Sequence, residues 1–370
     1  MKHQYLPALF SLLLTGLALA APAPTDWPSF RGNPRLTGVA VESLPPPLKL
    51  RWQIDAGSAV ESTAAIVGDS VYLGTKHGAV LALRLDTGKV RWKFTAGDAI
   101  AASPCVVGDA VFVGDEDGSF YALNAKSGKL LWKFKALDKI ISSANVTAGV
   151  VLFGAYDNTL YCLHAGTGKL KWKFKAEAQV HCSPCVTGGS VLIAGCDGKV
   201  RAIDLQTGKQ QAAATIEANF AAAPAYENGI GYTGSLNGDF LAMRVTDGKL
   251  LWKFKEQEDG AACYAGAALA GDAVLFASRS GHLFRVDRAT GHPRWTFTEK
   301  SGGDSSPVIS GDTVYVGSGD GILYALELAT GHKRWQFTAG GEIKASPAIS
   351  HGVLVIGNTD GKVFCLGHAG

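Results

Sequence analysis

Beyond residue 20 the sequence contains no apolar run of eighteen residues, which excludes a transmembrane helix. Between its glycine-rich turns there is no stretch long enough for an amphipathic helix. Net charge is nearly absent at +3, and the cations are spread along the chain, so neither a nucleic-acid footprint nor a basic membrane belt is expected. No nucleophile, base and orienting group stand out as a catalytic set, so no catalytic residue is assigned. Compact Asp/Asn/Glu clusters are also missing outside the turns. The three consecutive acids Asp115-Glu116-Asp117 read as a solvated turn, and no metal ligands are assigned.

What is present is a repeat. Ala122-Leu123-Asn124-Ala125-Lys126-Ser127-Gly128-Lys129-Leu130-Leu131-Trp132 recurs with small changes along most of the chain. Its tryptophans fall at Trp52, Trp92, Trp132, Trp172, Trp252, Trp295 and Trp335. Four of the six steps are 40 residues, one is 80 and one is 43. In the long step Thr207-Gly208-Lys209 keeps the register and Ala212 stands where the tryptophan belongs, so there are eight repeat positions.

One repeat reads as four short strands: the run Ala101–Val107, then Ala110–Gly114, Ser119–Asn124 and Leu130–Phe134, separated by Gly108-Asp109, Asp117-Gly118 and Ser127-Gly128-Lys129. Four-stranded units repeated radially make an all-β, eight-bladed β-propeller of antiparallel blades. The last repeat stops at its third strand, Lys362–Leu366, and Leu48–Ile54 is an orphan fourth strand. Pairing the two would close the ring through the eighth blade. The tryptophans are expected to wedge between neighbouring blades. The lysines of the Trp-Lys-Phe-Lys segments should face solvent on the outermost strand, where charge discourages edge pairing.

The chain divides into residues 1–20, with the pattern of a cleaved signal peptide, a proline-rich arm at 21–47, and the propeller at 48–370. An exported chain in the periplasm or outside the cell follows. No cysteine lies near the cut, so the lipoprotein route is not expected. Trp27 and Phe30, within Asp26-Trp27-Pro28-Ser29-Phe30-Arg31-Gly32-Asn33, should pin the arm to the ring. The seven cysteines leave at least one unpaired. Cys105, Cys162, Cys185 and Cys365 read as small buried hydrophobes. Cys182-Ser183-Pro184-Cys185 lies on a predicted strand, where a redox pair is not favoured. His181, Cys182 and Cys196 could meet at one end of their blade as a zinc site, with satisfied interior residues as the alternative.

The pattern Ala-x-Asp-x-x-Thr-Gly-Lys-x-x-Trp resembles the tryptophan-docking motif of pyrroloquinoline quinone (PQQ) type propellers. Ala202, Asp204, Thr207, Gly208 and Lys209 carry it, as do Ala325, Thr330, Gly331 and Trp335. The resemblance spans Leu48 to the C-terminus, and the Asp-Trp-Pro lead-in is similar to the start of mature members. It implies one of two branches. One holds quinoprotein dehydrogenases that oxidise alcohols or sugars with PQQ and calcium; the other holds scaffolds such as the BamB-like periplasmic propeller of the outer-membrane assembly machinery. The dehydrogenase branch resembles a longer chain with roofing insertions and a vicinal cysteine pair, and this sequence has neither. The scaffold branch is therefore expected, with a protein or peptide partner, no nucleic acid and no cofactor. The BamB type resembles a lipid-anchored protein, so the correspondence is in kind.

Comparison between repeats points to one variable face. Aligned with Ala101 stand Glu61, Ile141, His181, Ala221, Tyr264, Asp304 and Lys344. Aligned with Glu116 stand Lys76, Tyr156, Cys196, Leu236, Arg279, Gly319 and Thr359. Mixed rings of this kind suit recognition of a protein surface, with aromatic and arginine anchors. The expected binding residues are Glu61, Lys76, Glu116, Tyr156, His181, Phe220, Tyr264, Arg279, Asp304 and Lys344. The sixth position deviates most, with three extra residues within Glu256–Gly266 and the acidic run Glu256-Gln257-Glu258-Asp259. The repeat carrying Ala212 should be less firmly packed, or covered by the arm.

Overall fold

The computed structural model describes residues 23–216, 218–256 and 261–368. The expected signal peptide and Gln257–Asp259 of the acidic run lie outside them. The described residues form eight four-stranded antiparallel sheets. Blades are numbered here from the first continuous one, Ala65–Thr95, so blade 8 is the composite. In blade 8, Lys49–Asp55 pairs antiparallel with Lys362–Gly367, opposing Trp52 to Cys365. The ring is thus closed as the orphan strand implied.

In blade 2 the strands are Cys105–Val107, Ala110–Gly114, Ser119–Asn124 and Leu130–Lys135. The innermost strand is shorter than the run Ala101–Val107 suggested, because residues 101–104 lie outside the sheet and the chain enters it only after Pro104. In blade 4 the same shortening leaves Cys182 outside the strand Cys185–Val186. The second strand is buried on both faces and apolar throughout. The outermost strand alternates, with Trp132 and Phe134 half-buried and Lys133 and Lys135 exposed.

The seams between blades share one device. Each docked indole N–H donates to a backbone carbonyl in the next blade: Trp52 to Leu85, Trp92 to Ala125, Trp132 to Ala165, Trp172 to Leu205, Trp252 to Arg288 and Trp295 to Leu328, at 2.7–3.0 Å. The ring lies on the glycine of that blade's Thr-Gly-Lys-type turn. Gly168 has φ of 69°, and a Cβ there would sit 2.5 Å from the Trp132 ring. Glycine is required at this turn by backbone conformation and by the indole together. Trp335 makes no such bond among the described residues. It faces blade 8, whose outer strand comes from the N-terminal side, so no turn links its third and fourth strands. At Ala212 the seam collapses instead: a Cβ on Gly248 would meet the Ala213 carbonyl at 2.6 Å.

The arm makes a circuit of the channel. Backbone N–H groups of the innermost strands donate to arm carbonyls: Ile66 to Trp27, Val106 to Pro28, Val186 to Pro34, Tyr226 to Arg35, Leu269 to Thr37 and Ile309 to Gly38. Asn145 reaches Pro34 from blade 3, and Ser350 reaches Thr25 from blade 8. Leu36 and Phe30 join a cluster with Cys185, Ala212, Ala223 and Val245, so arm side chains pack into the seam that lacks its tryptophan.

Trp132→Ala should cost about 3 kcal/mol by emptying a dock and orphaning the Ala165 carbonyl. Gly168→Ala should cost about 1–3 kcal/mol on the other side of the same contact. Urea unfolding midpoints of both variants check this; midpoints equal to the parent's would contradict it.

Candidate functional site

The channel opens on the variable face as a funnel of about 140 Å³, ringed by Glu61, Ala101, Ile141, His181, Ala221, Tyr264, Asp304 and Lys344. All eight blades therefore contribute the residue aligned with Ala101. Phe30 of the arm forms part of the floor, together with a ring of hydroxyls one step deeper, among them Thr63, Ser103, Ser143, Ser183, Ser306 and Ser346.

The outer-ring residues fold inward onto this mouth in two chains. In the first, Lys76 pairs with Glu116 and lies 3.7 Å from Glu61, whose other oxygen is 3.2 Å from Lys344. In the second, Arg279 makes a bidentate pair with Asp304, both contacts at 2.7 Å, and lies 3.8 Å over the Tyr264 ring. Tyr264 meets the edge of His181 at 6.3 Å, across the small Ala221. Tyr156 Oη lies 2.6 Å from His181 Nδ1, and Lys139 sits 4.4 Å over the Tyr156 ring. Each of these acids is thus held by a cation, and Tyr156 and Tyr264 each carry a cation over the ring.

Burial, reinforced by Lys139, pulls the His181 imidazole down to about 4. Burial pushes the Tyr156 hydroxyl up to about 12. Both groups are neutral at pH 7, so the phenol donates and the imidazole nitrogen accepts.

Nine of the ten expected binding residues lie at this mouth. Phe220 does not. It is fully buried in a core cluster that runs from blade 3 through blade 4 to Leu241 and Met243 of blade 5, in the place held by Ile100, Ile140 and Val180 in other repeats. Its size made it look like an anchor, but its alignment is with a core position. Lys139 joins the site without having been singled out, because a lone lysine in a turn carries no distinguishing signal. The hydroxyl ring recurs at a 40-residue step and so reads as part of the fold. His181, Cys182 and Cys196 are not brought together as ligands: Cys182 Sγ accepts from the Ala194 amide and Cys196 donates to the Phe220 carbonyl. Among the described residues no three His, Cys, Asp or Glu side chains are grouped to hold a metal. All seven cysteines are free thiols, and all but Cys196 are buried.

A larger cleft of about 490 Å³ lies on the opposite side of the arm, between it and blades 2 and 3. It is lined by Pro28, Pro34, Val39, Cys105 and Val146. Its one carboxylate, Asp26, is already taken by the Gly68 amide and His351. With few polar groups free to converge, it offers less to a specific ligand than the mouth does.

Comparison with known proteins agrees with this architecture. A sequence profile described as outer membrane protein assembly factor BamB matches residues 49–147, 127–253 and 237–369. No curated protein matches the chain. Among solved structures, BamB from Moraxella catarrhalis is 20% identical, covering 87% of this chain and 98% of its own, with a TM-score of 0.76. The quinohemoprotein alcohol dehydrogenase of Comamonas testosteroni is 16% identical over 94% of this chain and 81% of its own, at 0.80. The computationally designed Ika8 protein is 17% identical over 90% and 99%, at 0.75. At these identities the likeness shows the fold alone.

The depressed His181 value has a sign that can be tested. Between pH 6.5 and about 4 the unfolded chain binds a proton that the folded chain refuses, so stability is full above 6.5 and falls as pH drops toward 4. The imidazole NMR titration should have its midpoint near 4, and His181→Gln should flatten the loss of stability over that window. An imidazole titrating at its ordinary value would contradict the burial of this ring.

Proposed function

The chain belongs to the family of outer membrane protein assembly factor BamB, and from that premise we propose that it is an exported, non-catalytic scaffold in the cell envelope. Its variable mouth binds a protein or peptide partner, in the manner of an outer-membrane assembly factor. The observation that carries this reading is the arrangement of the mouth itself. Nine residues that differ from blade to blade converge there, while the opposite end of the channel is taken up by the chain's own arm. Aromatic and arginine side chains in mutual contact form a pre-ordered anchor patch, which lowers the entropy lost on binding a partner.

The reading without a quinone cofactor rests on the volume of the mouth and on the few free polar groups of the larger cleft. A funnel of about 140 Å³ floored by Phe30 is smaller than the roughly 300 Å³ at which enclosed small-molecule sites begin. No helix among the described residues is long and apolar enough to cross a membrane. The export assignment rests on residues 1–20, and N-terminal sequencing of the mature chain tests it.

A photo-crosslinking residue at position 264 or 279 should give a discrete adduct in intact cells. The same probe at Lys169, on the turns of the opposite face, should give none. Adducts from Lys169 and not from the mouth would overturn the assignment of the binding face.

A further inference from the structure

The hydroxyl ring beneath the mouth is a chain of inter-blade hydrogen bonds. The Thr63 amide donates to Ser103 Oγ at 3.0 Å, Ser103 to Ser143 at 2.9 Å and Ser143 to Ser183 at 3.0 Å. On the other side Gly266 donates to Ser306 at 2.9 Å, Ser306 to Ser346 at 3.0 Å, and Ser346 to Thr63 Oγ1 at 3.2 Å. The chain is broken at two adjacent places, where Ala223 and Gly266 stand instead of a serine. The amides of Ser183 and Ala223, which would have donated to those hydroxyls, make no hydrogen bond among the described residues.

Arg31 lies beside the same break. Its side chain is fully buried. Nη2 donates to the Ala267 and Pro307 carbonyls at 2.8 and 2.5 Å. Nε and Nη1 are buried and have no partner among the described residues. No carboxylate offsets the charge, and burial alone draws the guanidinium down to about 9. The residue holds a positive φ of 61°, an uncommon conformation for a side-chain-bearing residue. A Cβ on Gly266 would stand 3.4 Å from Arg31 Cδ and Nε and 3.7 Å from Ser306 Oγ, ordinary contact distances, so the missing side chain is what leaves Arg31 Nε facing this point of the ring. Every unsatisfied group at the break is a donor. A buried guanidinium without an anion is costly, and backbone amides beside it add to the demand for one.

We propose that the break in the hydroxyl ring is a binding site for a carboxylate, which enters from the mouth and is held by Arg31 Nε and Nη1 and by the amides of Ser183 and Ala223. A carboxylate is an acceptor only and can take all of these donors at once. Metal cations are repelled by the same set. The carboxylate can be a free small acid or the terminus of a partner segment inserted into the funnel; the chemistry at the break is the same. The site stands apart from the display of the mouth, and its failure leaves that reading intact.

The test is thermal unfolding of the mature chain titrated with sodium acetate at constant ionic strength. The melting temperature should rise saturably, by about 3 °C or more. Gly266→Ser restores an acceptor to the ring and occupies that point of it, at a backbone conformation that accepts a side chain; it should lose the response while remaining folded. Arg31→Met should lose it too, and if that variant does not fold, Gly266→Ser decides. An unchanged response in Gly266→Ser, or none in the parent, overturns the proposal. In the parent, an N-acetyl tripeptide acid acting at lower concentration than acetate, with its amide inactive, assigns the carboxylate to a partner terminus. Equal potency of the acid and acetate assigns it to a free small acid.

Discussion

The indole dock is the contact on which the rest of the ring depends. A blade is a short four-stranded sheet with two apolar faces, and it cannot bury them alone. Trp132 joins one blade to the next by three physical means at once: apolar area, a hydrogen bond to the Ala165 carbonyl and contact with a turn that only glycine can make. Repetition of this joint sets the angle between blades. Closure through Lys49–Asp55 and Lys362–Gly367 then makes each seam support the others. Stacked pairs such as Phe120 on Phe153, at 4.1 Å, fill the interior of the same seams.

Trp335 keeps its indole without the hydrogen bond among the described residues, but one seam lacks the indole altogether, and that departure explains the arm. Between blades 4 and 5 both the indole and the inner hydroxyl are replaced by alanine, at Ala212 and Ala223. Leu36 and Phe30 pack there, and Arg35 accepts from Tyr226 beside them. The arm is therefore part of the core. It closes one end of the channel and gives the other end a floor, which turns a through-channel into a shallow cup.

Much of this was legible in the sequence because it is periodic. The tryptophan step revealed the blade, and the orphan strand at Leu48 revealed the closure. Internal alignment found the mouth residues because their variation stands out against constant turns. What escaped is non-local. The circuit of the arm depends on backbone carbonyls that carry no residue signature. The contact of Tyr264 with His181 depends on the smallness of Ala221 between them. Phe220 was misjudged because its aromatic size drew attention away from its alignment with the buried Ile100, Ile140 and Val180. Arg31 lay within a distinctive segment, yet charge in a lead-in suggests solvent, and only the fold encloses it.

The BamB-type and quinoprotein-type branches share this ring, so function turns on what the channel can hold. The proposed scaffold reading requires the small mouth to take a partner's side chains and not a quinone. Calorimetric titration of the purified mature chain with PQQ in the presence of calcium tests this most directly. No saturable heat is expected at any attainable concentration. Saturable micromolar binding would overturn that reading.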